Sequence, residues 1–120
     1  MSRAGMSGQS YDTNDIVYRI TTQNSALFAA GTYKRGQPVG RDNTTGAYTA
    51  YDENATNGAE KISGVVINDM IIPTGGGHGI IAFGEFDRTG VARVMASLTP
   101  PITLTDVLVG RCNDAGIILN

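Results

Sequence analysis

"NTTGAYTAYDENATNG", residues 43–58, sets a short strand candidate, "AYTAYD" at 47–52, between two turn-forming clusters. Asn, Asp, Thr and Gly in those clusters either bond their own backbone or accept positive φ, which is what tight turns require. Alternation puts Tyr48 with Ala50 on one face of the strand, and Ala47, Thr49 and Tyr51 on the other. The two tyrosines therefore point to opposite sides of a sheet, one of them towards a core. Three uses compete for such a stretch: a polar binding loop, a cation site, or a hairpin that serves the scaffold. "DENATNG" (52–58) is oxygen-rich, but it lacks the alternating acidic ligands and terminal bidentate Glu of an EF-hand loop. Asn57-Gly58 makes a tight turn without any metal. The stretch reads as turn, strand and turn within the body of a domain.

Working outward, glycine punctuation continues on both sides. "GTYKRGQPVGRD" (31–42) holds two short strand pieces around Gly36 and Pro38, and "KISGVVIND" (61–69) is the most apolar strand candidate. "DMIIP" continues or follows it, and "GIIAFGEF" (79–86) is reached through "TGGGHG". Short β-prone runs at roughly 8–12-residue spacing predict a small antiparallel β domain. The last third changes character. "VARVMASL" (91–98) fits strand or helix, and "TPP" (99–101) stops it, because proline neither continues a helix nor donates to a ladder. In "TLTDVLVGRCNDAGIILN" (103–120), Thr103 or Thr105 is positioned to cap a helix running to about Asn113. Leu104, Leu108 and Cys112 would share one of its faces, with Gly116 as the left-handed residue after it and "IIL" as a final strand. Gly110 and the β-branched valines weaken that helix, and a hairpin of 106–111 with 117–119 is the rival.

At the other end, "MSRAGMSGQSYDTND" (1–15) has no helical or strand period and reads as a flexible arm. "IVYRITT" (16–22) has high β-propensity. It is either an extended segment that adds itself to another protein's sheet edge or the first strand of the domain itself. The chain is accordingly divided into an extended arm, 1–24, and a globular domain, 25–120. The expected fold class is α+β, mostly β, with one short C-terminal helix.

Composition narrows the function classes. The chain has 120 residues, 41% of them hydrophobic and 16 of them glycine, which suits one domain with a modest core. A domain of this size buries only about two-thirds of the surface its unfolded chain exposes, so oligomerisation would help it. The formal charge is −2, and Lys34–Arg35 is the only adjacent basic pair, so nothing supplies the basic stripe of a nucleic-acid binder. No apolar run approaches the ~20 residues of a membrane span. The N-terminal stretch has no apolar h-region, so it does not read as a secretory signal. Cys112 is the single cysteine, which rules out an intrachain disulfide and suits a small buried apolar residue in a reducing cytoplasm.

Catalytic signals are thin. "GGGHG" (75–79) is followed by Ile80 and Ile81, where a phosphate loop needs Lys and then Ser or Thr. His78 is the only histidine, so it builds no multi-histidine metal site, and with Cys112 it makes at most a weak catalytic pair. The carboxylates lie mostly at strand ends and turns, and spacing alone pairs none of them for acid–base work. The expectation is a protein that is not an enzyme and uses no cofactor.

Three segments, taken in order, resemble the bacteriophage lambda-type head decoration (capsid cement) proteins. "GTYKRGQPVGRDNTTGAYTAYDENATNGAEKISGVVIND" (31–69) has the family's layout of a Pro-Val strand, an aromatic strand ending in Tyr-Asp, an Asn-Gly-Ala turn and Gly-Val. "GEFDRTGV" (84–91) is similar to its step after a central strand, and "LTDVLVGRCNDAGIILN" (104–120) to its short helix, turn and last strand. Together they span about half of the chain. The glycine-rich insertion at 74–79 and Gly110 inside the expected helix depart from the family's pattern. The resemblance implies a trimer on the outer surface of the expanded phage head in the virion, made in the host cytoplasm. Its partners would be the major capsid protein and itself, at three-fold and quasi-three-fold sites, with neither nucleic acid nor membrane contacted directly. It would brace the shell against packaged DNA. The capsid-binding arm would correspond here to Tyr11, Asp12, Asp15, Ile16, Val17, Tyr18, Arg19 and Ile20. The alternative is a small β binding module for a carbohydrate or other surface ligand, with a solvent-facing Tyr48 or Tyr51 stacking on it.

Overall fold

The structure is a computed structural model and describes residues 16–120. In chain order the strands are β1 (Val17–Phe28), β2 (Gly31–Tyr33), β3 (Pro38–Arg41), β4 (Tyr48–Ala50), β5 (Gly64–Val66), β6 (Met70–Ile72) and β7 (Gly77–Phe86). Two helices, α1 (Arg88–Ala96) and α2 (Asp106–Asp114), precede the last strand, β8 (Ile117–Leu119).

The fold is mostly β, as the strand spacing predicts, but three finer expectations change. The sheet is mixed rather than antiparallel: β1 pairs with β4, and β7 with β8, in parallel. There are two helices rather than one, because "VARVMASL" joins Arg88–Gly90 in α1. Asp87 supplies the start signal, its Oδ2 accepting from the Gly90 amide at 2.9 Å. Residues 17–24, assigned above to an arm, pair with β7 inside the chain's own sheet. α2 is the helical one of the two alternatives for this segment, although Leu104, expected on its apolar face, precedes it. Thr105 caps it through its hydroxyl, which accepts from the Leu108 amide at 3.3 Å, and Gly116 ends it at φ 86°.

The main sheet runs β1-β4-β3-β5-β7-β8, and β1 also pairs with β7. The strands β1, β4, β3, β5 and β7 therefore close into a ring, with β8 added to the edge of β7 that β5 leaves uncovered. β2 and β6 form a separate two-stranded ribbon. Neighbouring residues in the central strands serve opposite faces, as the two-residue period of a strand requires. Val65 and Ala82 enter a cluster with Phe86, Val91, Met95, Leu108 and Cys112, which joins the sheet to both helices. Val66 and Ile81 enter the other, with Phe28, Tyr33, Val39 and Ile72, which joins the sheet to the β2–β6 ribbon. Burial on both sides explains why 64–66 carry no polar side chain: each exposed position has been removed from the strand.

The 43–58 stretch is built from its own polar groups. Asp42 Oδ1 accepts from the Thr44 amide at 2.8 Å, Asp52 Oδ1 accepts from the Asn54 amide at 3.0 Å, and the Asn43 amide donates to the Asn57 carbonyl at 2.7 Å. The two turns are thus tied together, and both carboxylates are occupied as turn acceptors. Gly58 sits at φ 111° with the Arg41 carbonyl 2.4 Å from where a Cβ would stand, so a glycine is needed there.

Candidate functional site

β1 is the longest strand and the least covered. Its sequence, VYRITTQNSALF, mixes β-branched and aromatic residues with polar ones, so it favours extension without asking for burial on both faces. It pairs antiparallel with β7 from Val17↔Phe86 to Phe28↔Gly77, with register irregularities between Val17 and Arg19 and between Ile20 and Thr22. On its other edge it meets β4 only at Phe28↔Tyr48. Between 18 and 26 that outer edge has no strand partner among the described residues. Side chains 18–25 are all exposed, and Tyr18, Ile20 and Leu27 present large apolar groups there. An open edge of this length accepts a strand from another chain.

Each predicted arm residue has a definite place, except Tyr11, Asp12 and Asp15, which lie outside the described residues. Ile16 is packed against the helix-covered core, and its carbonyl accepts from the Asp87 amide at 2.7 Å. Val17 is half-buried opposite Phe86, so both residues anchor the start of β1 to its own domain. Tyr18 is exposed, and its hydroxyl donates to Asp87 Oδ1 at 2.9 Å. That bond to the Asp87 carboxylate, with some burial and the negative charges of Asp87 and Glu85, raises the phenol above its ordinary pKa. Arg19 and Ile20 are exposed opposite Glu85 and Gly84. Of the predicted set, then, Tyr18, Arg19 and Ile20 lie on the open strand while Ile16 and Val17 hold it in place. The exposed residues Gln23, Asn24 and Ser25 lie beyond the segment 16–22 singled out from the sequence; they are ordinary surface chemistry, and only the open edge makes them distinctive.

Tyr51 is 3% exposed, and its hydroxyl accepts from Arg111 Nη1 at 2.9 Å. Tyr48 is half-buried against Phe28, with ring centroids 5.8 Å apart. Tyr51 therefore offers no free ring face for stacking on a ligand. His78 belongs to β7, opposite Leu27, rather than to a glycine loop. Cys112 is buried, and desolvation pushes its thiol up to about 11, so it stays protonated and non-nucleophilic at neutral pH. Among the described residues no three His, Cys, Asp or Glu side chains gather as metal ligands, and no helix is long and apolar enough to cross a membrane. Neither a known family model nor a curated protein matches this chain.

Proposed function

We propose that this chain is a phage head decoration protein, which binds the outside of the mature expanded capsid as a trimer and braces neighbouring major capsid subunits. The reading rests on the ordered resemblance of 31–69, 84–91 and 104–120 to that family. The observation that supports it is the open outer edge of β1, where exposed residues 18–25 offer backbone donors and acceptors to a strand of the capsid protein. In this reading β1 is the receiving edge. Three copies on one three-fold site would raise the effective concentration of each contact once the first is made.

The test is co-sedimentation of the full chain with expanded, undecorated heads of the same phage, followed by heating of the decorated heads. Saturable binding and heat-protected heads are expected. Lysines on an edge oppose strand addition, so Thr22→Lys combined with Asn24→Lys should leave the isolated protein folded and weaken binding. No binding by the unaltered chain to those heads refutes the proposal. Equal binding by the double variant moves the contact away from β1.

A further inference from the structure

We propose a second site, independent of the β1 edge: a groove that binds a neutral saccharide. It has a volume of about 920 Å³ and lies between the end of β4 with the turn after it, on one side, and residues 98–103 of the inter-helix segment, on the other. A volume of this order is within the range of small-ligand sites.

The feature that points to a ligand is Gln37. It borders the groove while being only 2% exposed, and it is the one buried polar side chain among the described residues. Its orientation is set by a backbone group. The Lys34 amide donates to Gln37 Oε1 at 2.9 Å, so the carboxamide oxygen faces that amide and the NH₂ faces away from it. The Gln37 backbone amide donates in turn to the Lys34 carbonyl at 2.9 Å, which holds the turn rigid. Nε2, with its two hydrogens, makes no hydrogen bond to the described residues. A buried amide donor without an acceptor is costly to a fold and is normally satisfied by a partner. An oxygen of a ligand seated in the groove would satisfy it.

The surrounding groups select the ligand class. Glu53 and the second oxygen of Asp52 accept hydrogen bonds, the Lys34 ammonium donates them, and this mixture of signs favours neither an anion nor a cation, whereas Thr99 and Thr103 both donate and accept. A sugar hydroxyl also does both, so one ring can take the Gln37 hydrogen while giving its own to a carboxylate. Pro100 and Pro101 add an apolar surface for the C–H face of a pyranose.

The experiment uses the full chain in solution, so it does not depend on head binding. Amide and side-chain NH₂ signals are followed while glucose, N-acetylglucosamine, maltotriose and chitotriose are added separately, each to about 20 mM, a level that saturates millimolar sites. At least one probe should shift the Gln37 NH₂ pair and the backbone signals of Thr99 and Thr103 saturably. Losing one directed hydrogen bond should weaken that binding about tenfold. This is expected for Gln37→Met and also for Thr103→Val, which alters an exposed side chain and leaves the core intact. The proposal is overturned if no probe moves these signals, or if both variants bind as the unaltered chain does. Stronger shifts of the same signals with an acetylated pentaalanine peptide would also overturn it, assigning the groove to polypeptide.

Discussion

The same one-methyl change at two glycines should act in opposite directions. Gly84 lies in β7 opposite Ile20, beside the register irregularities of the β1–β7 pair, at φ 147°. A Cβ there would stand 2.1 Å from the Arg19 carbonyl oxygen and 3.0 Å from Ile20 Cα, both backbone atoms that no rotamer change can move. The left-handed backbone alone costs a side-chain-bearing residue about 1–3 kcal/mol. Relieving the clash requires β1 to part from β7 locally, and two lost ladder bonds at about 0.5–1.5 kcal/mol each are the minimum consequence. Gly84→Ala should therefore destabilise by about 3–5 kcal/mol, a large share of the 5–15 kcal/mol of a typical domain. The melting temperature should fall by about 12–40 °C, at about 4–8 °C per kcal/mol for a domain near this size. Gly110 is an exposed position of α2 with no atom within 4 Å of a Cβ, so Gly110→Ala gains helix propensity and nothing else changes. It should stabilise by about 0.5–1 kcal/mol. Urea and thermal unfolding followed by far-ultraviolet circular dichroism measure both. A Gly84→Ala protein within about 1 kcal/mol of the parent, or a destabilised Gly110→Ala protein, would refute the reasoning.

Three further outcomes are expected. Burial raises the Cys112 thiol from its ordinary 9.0 to about 11, so the folded chain keeps a proton that the unfolded chain has lost. Its contribution is complete below about pH 9 and declines as the pH rises towards about 11; urea titrations should show this slope in the parent and not in Cys112→Ala. Asp87→Ala removes the cap of α1 and should cost about 1 kcal/mol. In the same variant the Tyr18 phenol loses its carboxylate acceptor, and a tyrosine absorbance titration should find its pKa lowered towards the ordinary range. Met95→Ala, fully buried between α1 and the sheet, should cost about 2–5 kcal/mol. Ile71→Ala, 83% exposed, should stay within about 0.5 kcal/mol of the parent; similar losses for the two would mean that Met95 is not in the core.

Legibility differed between the two ends of the chain for a physical reason. α2 was readable because a helix start, its buried stripe and its stop are all local: Thr105, Leu108 with Cys112, and Gly116 lie within a few turns of one another. α1 was ambiguous because its cap, Asp87, directly follows the end of β7, so the apolar run 91–98 showed no separate beginning. β1 was ambiguous in another way. VYRITTQNSALF specifies an extended chain, but nothing within it states which sheet it joins.

The candidate sites follow the same division. Tyr18, Arg19 and Ile20 could be singled out as β-capable and near the N-terminus, whereas the open edge they border exists only because β4 is too short to follow β1 beyond Phe28↔Tyr48. Gln37 could not be singled out at all. A glutamine between Gly36 and Pro38 is ordinary turn composition, and only the folded chain shows that it is 2% exposed.

Neighbours along the chain settle the short strands set by glycine spacing, the two turns of 43–58 and the tyrosines facing opposite ways, and they supply the cap and stop of α2 without excluding the rival hairpin. Pairing between distant segments settles the rest. That includes the parallel contacts of β1 with β4 and β7 with β8, the capture of 17–24 by the chain's own sheet, and the seclusion of Tyr51, Cys112 and Gln37. Local propensity costs and gains are settled within a few residues, but burial and strand partnership are settled by whichever segments arrive alongside.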